Sequence, residues 1–137
     1  MPDSLAERGP NPHPVWRVTL IPELKDWFCS DVDDIERWVP EHQDVFYWLN
    51  LSIGQRGDER SDDFGVLVAT PDGLKRYRQS SHPEARSALP PIVVHPYSWD
   101  TVAFEIRRRL ERCEGSDWPD MVRSLQKVFQ WEYEGIK

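Results

Sequence analysis

The fold is decided by two neighbouring stretches of sequence, VFYWLNLSI at residues 45–53 and FGVLVA at residues 64–69. In the first stretch large apolar side chains recur at every second position, which is the period of a strand with one buried face. The residues on that face are Val45, Tyr47, Leu49, Leu51 and Ile53. The second stretch is apolar throughout and ends at Thr70-Pro71, as a buried strand would. Together they predict a central hairpin.

Further strands are predicted on both sides of this hairpin. Residues 15–20 alternate apolar and polar side chains, and Pro22 is expected to limit that strand or to place it at an edge. Residues 92–95 predict another strand, stopped by a proline. The last stretch, residues 129–134, alternates aromatic and polar side chains, so a closing strand and a last helical turn both stay open. The connection at residues 54–63 is longer than packing requires, which points to function or to disorder.

From residue 98 onward the apolar period lengthens to about 3.6 residues, which indicates helices. One apolar stripe runs over residues 99–113. The arginines of that stretch expected to face solvent are Arg107, Arg108, Arg109 and Arg112. Gly115 is suited to end this helix, and Asp117 to cap a second one. Shorter helices are expected over residues 33–39 and 72–78.

Strands first and helices last predict an α+β fold, a mainly antiparallel sheet of four to five strands with two C-terminal helices packed on one face. A chain of 137 residues is one domain's worth. We expect a disordered N-terminal tail over residues 1–14 and a single α+β domain over residues 15–137. The sequence shows no membrane-spanning stretch and no apolar secretory signal, so we expect a cytoplasmic protein whose cysteines, Cys29 and Cys113, are reduced.

The charge balance narrows the choice of partner. The formal net charge is −7 at pH 7. A protein that binds nucleic acid needs a basic face to displace counterions from phosphates, and an anionic membrane surface also attracts basic segments. The sequence therefore argues against nucleic acid and membranes and favours a basic protein partner, with faster association at low salt. Solubility alone is the alternative explanation of the acidity.

No motif for catalysis or for cofactor binding occurs. The sequence has no GxSxG turn, no Cys-centred motif and no glycine-rich phosphate loop. The four histidines are scattered, none pairs with another at the i, i+4 spacing of a helical metal site, and the two cysteines stand far apart. We therefore expect a protein that is not an enzyme and holds no cofactor and no metal.

The acidic residues concentrate in two segments, which we predict to be the partner-binding surface. Tight interfaces combine buried aromatic anchors with surrounding charge, and Trp27 and Trp38 accompany the first segment. The candidate residues are Asp31, Asp33, Asp34, Glu36, Trp38 and Glu41 in the first segment and Asp58, Glu59, Asp62 and Asp63 in the second. The segments adjoin the hairpin at its entry and at its tip, so they are expected at opposite ends of the strands. The alternative is that both tryptophans belong to the core.

Several short motifs follow one another in the order found in a known family. Glu23-Leu24-Lys25 precedes Ile53-Gly54, and the run FGVLVATPDGL follows at residues 64–74. CEGSDW at residues 113–118 and FQWEYE at residues 129–134 complete the series. In this order the motifs resemble the immunity protein 8 family of bacterial polymorphic toxin systems.

The resemblance implies an α+β fold and a cytoplasmic protein that neutralises a cognate toxin by binding it, and it implies no particular contact residues. Two other functions stay open, a small adaptor or regulatory binding module and an enzyme with a non-standard site. A toxin gene directly upstream would favour immunity over the adaptor, whereas turnover or a bound metal would favour the enzyme. No sequence pattern indicates an oligomeric state.

Overall fold

The computed structural model describes residues 19–80 and 89–133. Its strands are β1 (Pro22–Cys29), β2 (Phe46–Gln55), β3 (Ser61–Ala69), β4 (Ile92–Val93) and β5 (Gln130–Trp131). Its helices are α1 (Pro71–Arg78), α2 (Trp99–Glu111) and α3 (Trp118–Leu125), with a 3₁₀ turn at Ile35–Arg37. These elements confirm the predicted α+β class. No described helix is long and apolar enough to span a bilayer, and the tail predicted at residues 1–14 lies outside the described residues.

All five strands form one sheet, in the order β1-β2-β3-β4, with β5 also paired to β3. The pairs β1–β2, β2–β3 and β3–β5 are antiparallel, whereas β4 runs parallel to β3. Strand β2 pairs along one edge of β3. The other edge is shared by β4, which lies beside Val68 and Ala69, and by β5, which lies beside Phe64 and Gly65. The mainly antiparallel sheet is confirmed, and the chain continues after Phe129 as a strand.

The core lies between one face of this sheet and the two C-terminal helices. The β2 side chains buried there are Tyr47, Leu49, Leu51 and Ile53. The helices contribute Val102, Ile106, Leu110, Met121, Val122 and Leu125 to the same cluster. Each such side chain stabilises the fold by roughly 1.5–3 kcal/mol relative to exposure. On the opposite face the β2 side chains are only partly buried, so the predicted one-sided burial is confirmed.

The predicted first strand is wrong in position. Thr19 and Leu20 lie outside any strand, residues 15–18 lie outside the described residues, and Pro22 opens β1 instead of ending a strand. Proline is tolerated at the first position of an edge strand because no ladder hydrogen bond is needed from it there. A register shift between Leu24 and Asp26 hides the strand in the sequence, since it breaks the alternation of apolar and polar residues.

The connection between β2 and β3 is shorter than predicted. The two strands pair as far as Gly54 and Ser61, so only residues 56–60 form the turn, in which Gly57 has a φ of +87°. A positive φ suits glycine, which has no Cβ to clash. The residues at the start of β3 are polar, and this composition suggested a loop. Their backbone nevertheless pairs with β2 as in any other strand. The helix expected over residues 33–39 is likewise reduced to the 3₁₀ turn.

The expected exposure of Arg109 is wrong. Its side chain is 9% exposed, and its guanidinium donates hydrogen bonds to the carbonyl oxygens of Pro90 and Val128 at 2.9 and 3.1 Å and of Pro91 at 2.9 Å. Arg109 stands three positions after buried Ile106, at the border of the apolar stripe of α2. It therefore joins α2 to the segment before β4 and to the segment before β5.

Replacing Arg109 by methionine should lower the free energy of unfolding by about 2–4 kcal/mol, because three partly buried carbonyl oxygens lose their donor while most of the apolar volume is kept. Arg108→Met is the matched control. Arg108 is exposed and pairs with Glu105 on the helix surface at 3.1 Å, so its loss should cost less than about 0.5 kcal/mol. Urea unfolding measures both, and equal losses would contradict the assigned role.

Candidate functional site

The two acidic segments lie at opposite ends of the sheet. The first acidic loop (residues 31–44) joins the end of β1 to the start of β2, whereas the second acidic segment (residues 58–63) leads from the turn after β2 into β3. In the antiparallel pairing Cys29 lies opposite Leu49, and Pro22 lies opposite Gln55 at the other end. A single partner surface therefore cannot be centred on both acidic segments.

The first acidic loop packs against the core through two of its side chains. Ile35 is buried in the 3₁₀ turn, and Trp38 is partly buried. The Trp38 ring meets the rings of Tyr47 and Tyr97 edge-on, with centroids 6.2 and 5.4 Å away. The two tyrosine hydroxyls form a buried hydrogen bond of 2.8 Å, and burial, with this bond, raises the pKa of Tyr47. The middle of the loop thus rests on a fixed aromatic cluster.

The C-terminal end of the loop is fixed by Thr70, which is fully buried. The Thr70 hydroxyl donates to the carbonyl oxygen of Gln43 and accepts from the backbone N–H of Val45 at 2.9 Å. It also accepts from the N–H of Gly73 at 3.2 Å, which caps α1. The Gln43 side chain in turn accepts from the N–H of Tyr97 at 2.9 Å. The loop end, α1 and the segment before α2 are therefore tied together.

Four carboxylates of the first acidic loop remain available. Asp31, Asp33, Glu36 and Glu41 are all exposed, and within the described part of the chain none of them has an ion-pair partner. Asp34 differs, because it has a φ of +56° and pairs with Arg37 at 3.2 Å. The loop thus presents negative charge from a backbone that is anchored at its middle and at its C-terminal end.

A shallow cavity of about 470 Å³ opens beside this loop. Its acidic lining comes from Asp31, Glu41 and Asp44, and Trp38 forms part of its apolar lining. Asp44 is already paired with Arg76, at 3.1 Å. The other two carboxylates leave the cavity with an acidic border, which suits a positively charged side chain.

The tryptophans expected as anchors pack inside the protein rather than standing out from it. Trp27 lies against Trp99, with ring centroids 5.8 Å apart, and Trp38 rests on the two tyrosines. The prominent apolar side chain of the loop is Val39, which is 81% exposed. Sequence reasoning missed it because an isolated valine before a proline carries no periodic signal.

Most acids of the second acidic segment already have partners inside the protein. Asp58 binds the Arg60 side chain at 2.8 Å, and hydrogen bonds from Arg60 lower the pKa of Asp58 to about 2. The Asp62 carboxylate accepts hydrogen bonds from the indole N–H groups of Trp118 and Trp131, at 3.3 and 3.2 Å. Asp63 accepts one from the Ser52 hydroxyl at 3.1 Å.

Glu59 is the remaining acid of this segment. It is exposed, and no ion pair involves it among the described residues. The second acidic segment therefore offers less unpaired charge than the first.

A second cavity, of about 650 Å³, lies between β1 and α2. Its lining places Arg56 and Arg107 beside Glu23 and Glu111 around an apolar floor. Glu114 also lines this cavity, which therefore carries charges of both signs. Among the described residues no three His, Cys, Asp or Glu side chains cluster closely enough to hold a metal ion.

An α+β domain with unpaired acids on an anchored loop suits a protein-binding module. The family model described as Immunity protein 8 matches residues 22–135, and the chain belongs to that family. No curated protein and no solved structure matches the chain. The family predicted from the order of the motifs is confirmed.

The bonds made by Asp62 predict a structural role for this acid. Asp62→Ala removes the acceptor of two indole N–H groups and should lower the free energy of unfolding by about 1–3 kcal/mol. Asp62→Asn keeps a side-chain oxygen and should lose less. The neighbouring variant Asp63→Ala is the control, because Asp63 is exposed and should change stability by less than about 0.5 kcal/mol. Stability unchanged in Asp62→Ala, as measured by urea unfolding, would return Asp62 to the candidate contact residues.

Proposed function

We propose that this protein is the immunity partner of a bacterial toxin, and that it neutralises the toxin in the cytoplasm by binding it, without enzymatic activity or a cofactor of its own. Membership of the immunity protein 8 family carries this proposal. The net charge of −7 supports a basic protein as the partner, in preference to nucleic acid or an anionic membrane.

The first acidic loop is the proposed centre of charge recognition. Asp31, Asp33, Glu36 and Glu41 are exposed and unpaired within the described residues, whereas the backbone that carries them is anchored through Trp38 and Thr70. A loop that is already ordered loses little conformational entropy on binding, so more of the interaction energy appears as affinity. Asp34 adds a further carboxylate to this loop, although that carboxylate is paired with Arg37.

The cavity beside the loop is the proposed receptor for a lysine or arginine of the toxin. Asp31 and Glu41 would face the cation, and Trp38 would contact its aliphatic stem. Such a contact combines a charged pair with the burial of apolar surface, the combination found at energetically important interface positions. Of the second acidic segment, we propose that Glu59 and Asp63 contribute peripheral charge and that Asp58 and Asp62 act mainly through their internal bonds.

The immunity function is tested by growth. The genes beside this one are first searched for a toxin domain, and that domain is then expressed in bacteria with and without this protein. We expect growth arrest by the toxin alone and growth in the presence of this protein, together with a complex of the two purified proteins. Continued arrest and the absence of a complex would contradict the proposal.

The role of the first acidic loop predicts a kinetic effect. The double variant Asp33→Asn with Glu36→Gln removes two unpaired charges, and it should slow association with the same toxin domain several-fold at low salt and progressively less as salt rises. Neither carboxylate has a described ion-pair partner, so stability should be nearly unchanged. Stopped-flow association measured from low to high ionic strength checks this.

The control is Glu59→Gln with Glu114→Gln, which removes the same charge from exposed sites at the other end of the sheet. It should slow association clearly less than the first variant does, because Glu59 is proposed to contribute only peripheral charge. If the control variant slows association and the first variant does not, the charged surface belongs to the second acidic segment. If both have equal effects, only the overall net charge matters.

A further inference from the structure

The sheet face opposite α2 and α3 carries a row of apolar side chains. Phe28 on β1 and Val93 on β4 are 60% and 44% exposed, and Trp48 and Leu67 between them are partly buried. The strand pairing brings these residues together, since Trp48 lies opposite Leu67, and Phe28 lies opposite Asn50, two residues along β2 from Trp48. Apolar side chains on neighbouring and diagonal positions of one face are within contact range.

Trp48 is held flat in this row by a glycine. A Cβ built on Gly65 would lie 2.4 Å from the indole atoms Cζ2 and Nε1 of Trp48. The indole therefore covers the backbone of β3 directly, in a place that only a residue without a side chain leaves free. A tryptophan fixed in this way loses little rotamer freedom when a partner packs on it, which is a property of energetically important interface residues.

Two carboxylates that have no ion-pair partner among the described residues lie beside the row. Asp26 and Asp63 are exposed, and both flank Ser52 in the strand register on this same face. Two cations on this face are already paired, Lys25 with Glu23 at 2.7 Å and Arg76, which lies over the Phe46 ring, with Asp44 at 3.1 Å. The apolar row also lies at the end of the sheet where β1 runs into the first acidic loop. The apolar residues and the acids of the loop therefore lie at the same end of the sheet.

We propose that this sheet face is the apolar centre of the toxin interface, with Phe28, Trp48 and Leu67 as its anchors and the first acidic loop as its charged rim. The inference rests on the proposed function and adds the position and chemistry of the contact. The occupant is a basic protein surface that presents at least one apolar side chain, because Asp26 and Asp63 would attract its cations. A second copy of this acidic chain would meet charge of its own sign.

The test compares Phe28→Ala with Phe104→Ala. Phe104 lies on α2, on the helical side of the molecule, and is 59% exposed, against 60% for Phe28. The two variants therefore remove equally exposed aromatic rings from opposite sides of the protein. With the toxin domain of the growth experiment as probe, Phe28→Ala should dissociate about tenfold faster or more, and Phe104→Ala at the wild-type rate. Phe28→Lys should dissociate faster still, because it places a cation against a basic partner.

Each outcome decides between occupants. Tight wild-type binding with equal dissociation rates for both variants overturns this inference and leaves the immunity function standing, whereas no wild-type binding overturns both. A wild-type dimer in sedimentation that Phe28→Lys dissociates would make a second copy the occupant. A loss of unfolding free energy in Phe28→Ala typical of a core aromatic residue would show that the chain itself covers this face. Either of these two results also overturns the inference.

Discussion

Burial of one face of β2 is the constraint on which the rest of the structure depends. Tyr47, Leu49, Leu51 and Ile53 are almost fully removed from water, and most of the other elements extend or cover the face that they form. β1 and β3 complete it laterally, and α2 and α3 lie over it. Because side chains alternate along a strand, the same residues leave the opposite face of β2 partly open. One repeating pattern thus produces both the core and a half-buried outer face, on which α1 packs against Phe46.

The parts of the fold that could be predicted are those in which one uninterrupted period governs burial. β2, α2 and α3 satisfy this condition, and β3 contains a continuous apolar run. The positions of these four elements follow from the sequence to within a few residues. β1 does not, since the register shift after Leu24 puts Leu24 and Trp27, three positions apart, on the same face. Arg109 could not be predicted either, because its three carbonyl partners belong to segments 18 and 19 residues away.

For the candidate site, composition predicted where negative charge accumulates, and hairpin connectivity predicted that the two segments would be at opposite ends. What composition cannot reveal is which acids are already engaged. Asp62 binds tryptophans that follow it by 56 and 69 residues, and no local pattern signals such contacts. The close packing of Trp48 on Gly65 could not be predicted for the same reason, because cross-strand neighbours are known only once the register of the strands is known. Burial of Trp38 against two tyrosines likewise required the tertiary structure.

The outer edge of β1 has a consequence for the behaviour of the protein at high concentration. In the described part of the chain β1 has a neighbouring strand on one side only, and unpaired edges invite the addition of strands from other molecules. Pro22 cannot donate a ladder hydrogen bond, and the register shift beside Lys25 interrupts the regular spacing that an incoming strand would need. The irregularity that hides β1 in the sequence therefore protects the folded chain against edge-to-edge aggregation.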